Sequence, residues 1–168
     1  MSDATEPGIK PDPRARLSAI TLDSASIGHG GNHHIEHERE VAIFDILDGN
    51  SFAIPGRSDG PYKLTLSIED EKLVFAVDTE TESKVFTYPL SLTPFRRIIR
   101  DYFLVCDSYY EAIRSAPPAR IQAIDIGRRG LHDDGSRVLQ EKLAGKIDVD
   151  FDTARRLFTL LAALHWRG

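Results

Sequence analysis

The sequence is poor in the residues on which covalent and redox chemistry is usually built. One cysteine, Cys106, occurs in 168 residues, so no internal disulfide, no C-x-x-C pair and no cysteine-based zinc ribbon can form. Cys106 falls on an apolar helical stripe, which predicts a buried, inert thiol rather than a nucleophile. No apolar run approaches the roughly 20 residues that span a bilayer, so no membrane partner is expected. The opening MSDATEPGIKPDPRAR lacks the apolar core of a signal peptide, which predicts a cytoplasmic location. There is no G-x-S-x-G, no G-x-G-x-x-G and no G-x-x-x-x-G-K-[ST]. Nucleophile elbow, dinucleotide fingerprint and phosphate loop are therefore all missing, and no cofactor is predicted.

What is present is an uneven charge. The net charge is −5. Residues 1–84 carry 16 acidic and 8 basic side chains, whereas residues 85–168 carry 10 acidic and 13 basic. Eleven of those 13 are arginine. The planar guanidinium fork matches carboxylate and phosphate better than an ammonium does, so the C-terminal half points to an anionic partner. The alternative is that the two halves neutralise one another across their interface.

Residues 1–16 are rich in proline and charge and read as a disordered tail, leaving 17–168 as one domain. Leu17–Leu22 is a short strand, and a glycine-rich loop follows at Ile27–Asn32. Asn32 can cap a helix from His33 to about Leu47, stopped by Asp48-Gly49-Asn50. After a loop over Ser51–Pro61, apolar residues alternate through Tyr62–Ile68, Leu73–Val77 and Phe86–Leu90. Short connections make these three an antiparallel meander. The stretch Ser91–Ala116 has the longest helical stripe, from Phe95 through Ile98, Ile99, Tyr102 and Cys106 to Ile113. Thr93 is its expected cap, with Pro94 at the first helical position and Pro117-Pro118 as its stop. This helix is expected to cover the meander.

Beyond Pro118 two helices are expected, to about Gly127 and from Ser136 to Ala144, or one interrupted helix, because Gly127, Gly130 and Gly135 blur the join. Gly145 is a plausible stop. Asp150 or Asp152 can cap a last helix with Leu157, Phe158, Leu161, Leu164 and His165 on one face. The predicted class is α+β: a small antiparallel sheet, made of a three-strand meander and a short N-terminal strand, packed with four to five helices in the order β-α-β-β-β-α-α-α.

Three clusters could carry chemistry. In GHGGNHHIEHE, His33 and His37 are four apart and share a helical face, which makes them weak metal candidates. The zinc-protease spacing with its adjacent glutamate is absent. In GRRGLHDDGSR, Arg128, Arg129 and His132 lie close together beside glycines, a suitable setting for an anion. In DVDFDTARR, Asp152 with Arg155 and Arg156 fits helix-face ion pairs better than a calcium loop. Arg96, Arg97 and Arg100 crowd a helix start, where positive charge is mildly unfavourable. Either nearby carboxylates neutralise them or an anion binds there.

TLDSASIG, the EHERE run at Glu36–Glu40, GPYKLTLSIED, LSLTPFRRIIRDYFLVCDSYYEAIR, AIDIGRRGLH and VDFDTARRLFTL are collinear features over about residues 17–168. Together they resemble the bacterial uncharacterised protein family numbered 0262. The resemblance implies a cytoplasmic bacterial protein and no particular mechanism. Glu36, His37, Glu38 and Arg39 look like the family pattern, whereas His29, His33 and His34 look like departures from it.

The leading functional expectation is a non-enzymatic binding or regulatory protein. Its arginines Arg96, Arg97, Arg128, Arg129, Arg155 and Arg156, with His132, would meet RNA or an acidic protein. The rival is a metal-dependent hydrolase or other small enzyme using Glu36, His37 and His132. A homo-oligomer joined through exposed aromatic surface is the third expectation.

Overall fold

The computed structural model describes residues 12–28 and 33–164. The elements are β1 (Leu17–Leu22), α1 (Ser24–Ile27), α2 (His33–Asp48), β2 (Phe52–Ala53), β3 (Tyr62–Glu69), β4 (Lys72–Thr79) and β5 (Lys84–Ser91). They continue with a 3-10 turn (Thr93–Phe95), α3 (Arg96–Ser115), α4 (Pro118–Leu143), β6 (Asp148–Val149) and α5 (Phe151–Leu164). The α+β class holds. Of the expected tail, residues 1–11 lie outside the described residues, as do Asn32 and its capping role. Ala15 and Arg16 already accept backbone hydrogen bonds from Phe52 and Tyr62, at 2.8 and 2.9 Å.

The main sheet has the order β1-β3-β4-β5. β3, β4 and β5 form the antiparallel meander, with Leu66 opposite Phe75 and Phe75 opposite Tyr88. The β3–β4 hairpin turns on Asp70 and Glu71, both at positive φ, as a two-residue turn matched to strand twist requires. β1 runs parallel to β3, so the sheet is mixed rather than wholly antiparallel. The intervening α1 and α2 make this possible, since a parallel neighbour needs a long crossover. Asn50 closes that crossover. It accepts from Leu17 N at 2.7 Å and donates to Leu17 O and Ile46 O, at 3.1 and 2.9 Å. A two-stranded antiparallel sheet joins β2, inside the segment expected to be a loop, to β6 just ahead of the last helix.

The helix that contributes most to the core over the sheet is α5, while the 91–116 segment adds Leu92, Phe95 and Ile99. Thr153, Ala154, Leu157, Phe158, Leu160, Leu161, Ala162 and Leu164 are all buried, so α5 turns a broad apolar face to the core and leaves Asp152, Arg155 and Thr159 exposed on the opposite side. Leu157, Leu160, Leu161 and Leu164 meet Leu66, Leu73 and Phe75 from the sheet. Each such side chain contributes about 1.5–3 kcal/mol by leaving water. Asp150 caps the helix by accepting from Thr153 N at 2.8 Å. The C-terminal half of α4 lies beside α5 and buries Gly135, Ser136, Leu139 and Leu143. α4 is one continuous helix, and Gly145 follows it at φ 87°.

α3 packs chiefly on α4. Only Ile99 and Ala112 of α3 are buried. Its one-sided stripe suits a surface helix resting on another helix. Thr93 does not cap it: Thr93 opens the 3-10 turn, and neither that turn nor α3 has a side-chain cap. No helix among the described residues is long and apolar enough to cross a membrane.

Candidate functional site: an arginine cleft

Four of the six singled-out arginines converge. Arg128 and Arg129 of α4 and Arg155 and Arg156 of α5 line one open cleft of about 570 Å³. Tyr102, His132, Asp152 and Thr159 complete its walls. Helix geometry explains the meeting. Adjacent residues on α4 and on α5 each present a guanidinium pair, and α4 and α5 pack side by side.

Few carboxylates face these cations. Asp125 serves two arginines: it pairs with Arg128, which donates through Nε at 3.1 Å, and it lies 3.0 Å from Arg129 Nε. Arg155 Nε stands 3.1 Å from Asp133 Oδ1, out of line for a hydrogen bond, so that buried oxygen is held by charge alone. Arg156 has no carboxylate partner among the described residues and donates instead to Gly49 O at 2.7 Å. The expected pairing of Asp152 with Arg155 and Arg156 does not occur. Four guanidinium groups thus stand against Asp125, Asp133 and Asp152. Arg128 is further fixed by stacking over Tyr109, its Cζ 4.8 Å from the ring centre.

His132 sits at the cleft floor as a neutral ring. Burial, reinforced by Arg155 and Arg128 and only partly opposed by Asp133, pulls its pKa down to about 4. Its Nε2 is 2.7 Å from Thr159 Oγ1, and Thr159 spends its own proton on Arg155 O at 3.1 Å. With Thr159 donating to Arg155 O, Nε2 is placed to donate to Thr159 Oγ1. Nδ1 faces Ser136 Oγ at 3.5 Å, but that hydroxyl donates to His132 O at 2.7 Å and Ser136 is fully buried. This serine–histidine contact is structural. Tyr102 and Phe158 enclose the ring edge-on, with centroids at 5.6 and 5.2 Å. Burial, with Cys106 beside it, raises the Tyr102 phenol well above its ordinary value, so Tyr102 also stays neutral.

The remaining candidates lie elsewhere. Arg96 pairs with Glu71 of the β3–β4 turn, and Arg97 and Arg100 lie 4.0 and 3.6 Å from Asp101. These three arginines share two carboxylates, Glu71 and Asp101, and do not line the cleft. Glu36 is 3.9 Å from Arg39. His37 lines a second cavity, between α2, α3 and α5, and His33 is exposed. Glu36, His37 and His132 therefore do not share one cavity. No group of three or more His, Cys, Asp or Glu side chains able to hold a metal occurs among the described residues. His29 lies outside the described residues. Cys106 is only partly buried and borders the second cavity.

Sequence reasoning passed over Arg39, which is 4% exposed. It donates from Nη1 to Gly28 O at 2.9 Å and from Nε to Ala163 O at 3.2 Å, tying the start of the crossover to the end of α5. Its register with Ala42 and Ile46, three and seven residues on, was the available signal. Thr159 and Asp125 had no such signal.

The family model described as "Uncharacterised protein family (UPF0262)" matches residues 14–167. This chain belongs to the UPF0262 family. UPF0262 relatives are close and nearly full-length. A UPF0262 protein of Xanthobacter autotrophicus is 58% identical over 162 residues, covering 95% of this chain and 98% of the relative. One from Rhizobium etli is 59% identical over 153 residues, covering 91% and 96%. One from Rhodopseudomonas palustris is 55% identical over 157 residues, covering 94% and 96%. No solved structure matches this UPF0262 chain.

Proposed function

We propose that this UPF0262 member is a cytoplasmic, non-enzymatic binding protein whose arginine cleft takes a phosphate-bearing anion. The observation that carries this reading is the convergence of Arg128, Arg129, Arg155 and Arg156 on one concavity with fewer carboxylates than guanidiniums. Its volume lies in the range of small-molecule sites, roughly 300–1,000 Å³. A recessed cleft favours a compact phosphate group over the broad face of an acidic protein, and RNA would enter by its phosphates. Neutral His132 adds no charge and serves as a hydrogen-bonding wall.

The test is calorimetric titration with inorganic tripolyphosphate at low and high salt. Arg129→Ala with Arg156→Ala is the informative variant. Arg128 still holds Asp125 when Arg129 is gone, and Gly49 O is free to take up water. Two lost charge-assisted contacts should weaken binding about 10- to 100-fold and flatten the salt dependence. Arg96→Ala with Arg97→Ala should change neither. A wild type that ignores tripolyphosphate refutes the proposal.

A further inference from the structure

The second cavity adjoins the first. It measures about 600 Å³ and shares Tyr102, Arg128 and Thr159 with the arginine cleft, so one ligand can lie across both. Its walls differ in chemistry. α3 supplies the aromatic rings of Tyr102, Phe103 and Tyr110 with the carboxylate of Asp107, and α2 supplies the carboxylates of Glu38 and Asp45 beside His34 and His37. Glu38 is 3.5 Å from His34, while the Asp45 carboxylate makes no ion pair or hydrogen bond among the described residues. Ala162 and Ala163 of α5 leave room between these walls.

We propose that the joined cavities bind a nucleotide, with its phosphates among the arginines and its base between the α3 rings and the α2 carboxylates. This rests on the anion-binding role of the cleft. Aromatic rings offer a stacking surface to any base. A carboxylate only accepts hydrogen bonds, so the α2 wall selects a base edge rich in N–H donors. Guanine fits best, because its N1–H and N2–H stand side by side and can reach both oxygens of one carboxylate. Uracil fits worst, because its single N–H is flanked by two carbonyl oxygens that a carboxylate repels. An acyl chain fits neither wall: hydrocarbon would strip water from Asp45 and Glu38 and return no hydrogen bond.

The same chemistry can come from a free nucleotide or from a nucleic-acid strand. The experiment therefore titrates the full chain with GTP, UTP, tripolyphosphate and a short single-stranded G-rich oligoribonucleotide in divalent-free buffer. GTP should bind at least about 10-fold more tightly than UTP or tripolyphosphate. Asp45→Asn and Tyr110→Ala alter exposed residues and should leave the fold intact. Each should bring GTP affinity down toward that of tripolyphosphate while tripolyphosphate binding stays unchanged. An oligoribonucleotide that binds more tightly than GTP, with the same sensitivity to both variants, supports the site and identifies a strand as its source. If UTP or tripolyphosphate binds as tightly as GTP, the nucleotide inference is overturned while the anion cleft stands. If nothing binds, both fail.

Discussion

Gly135→Ala is the substitution for which helix propensity and packing give opposite signs. Alanine is favoured over glycine inside a helix by about 1 kcal/mol, so propensity alone predicts a more stable protein. The structure predicts the reverse. A Cβ at Gly135 would lie 2.3 Å from both Cε1 and Cζ of Phe158. Carbon contacts are comfortable at roughly 3.5–4.0 Å, so the ring would have to retreat by about 1 Å. It has no room, because Phe158 is fully buried and braced by Tyr102 at 5.9 Å and His132 at 5.2 Å. Overpacking of this kind costs about 1–3 kcal/mol, enough to cancel the gain in propensity and exceed it. The expected net loss is up to about 2 kcal/mol, seen as a fall in melting temperature of up to about 8 °C. Gly130→Ala is the control within the same helix. Nothing lies within 4 Å of its added Cβ, so it should raise the melting temperature by about 2–4 °C. Phe158→Leu in the Gly135→Ala background should recover part of the loss, because the smaller side chain vacates the ring edge. Thermal unfolding followed by circular dichroism measures all three. A Gly135→Ala protein as stable as Gly130→Ala would refute the close approach of α4 to α5.

Two further predictions concern buried polar groups. The His132 pKa is about 4 in the fold against an ordinary 6.5, so between those values the unfolded chain holds a proton that the folded chain does not. Stability should therefore fall as pH drops from 6.5 to 4, by about 1–2 kcal/mol once solvent access to the ring is allowed for. Urea unfolding at pH 7 and pH 4.5, compared with His132→Gln, should show the excess loss in the wild type alone. Arg39→Met keeps an unbranched apolar stem but removes the donors to Gly28 O and Ala163 O, and should cost about 2–4 kcal/mol in urea unfolding. Arg39→Lys should cost less, since the ammonium keeps the charge and can serve one carbonyl. An Arg39→Met protein of wild-type stability would show that the tie between the crossover and α5 contributes nothing.

Local patterns were enough for the class, the family and most element positions. Alternation of apolar residues specified the meander from Tyr62 to Leu90, because a strand with one buried face must alternate. Helix periods placed α2, α3 and α5, and Asp150 was one of the two caps expected for α5. What the pattern could not do was rank the helices by depth. The long aromatic stripe of α3 made it look central, yet α3 buries only Ile99 and Ala112, and the shorter α5, with eight buried residues, fills the core. Propensity also misled at α4, where Gly127, Gly130 and Gly135 suggested a break. One of the three is required by the Phe158 ring and the other two touch nothing, a distinction that exists only once α5 is in place.

The candidate site divides in the same way. The sequence by itself determined that the C-terminal half holds an excess of arginine and that Arg128, Arg129 and His132 are neighbours on one segment. Only the tertiary structure decided that Arg155 and Arg156 join them, that Arg96 and Arg97 pair with carboxylates elsewhere, and that His132 is neutral. The physical reason is range. Periodicity and capping act over a few residues, whereas a cleft, an ion pair or a desolvated imidazole depends on side chains brought together from separate helices, and α4–α5 packing sets which ones meet.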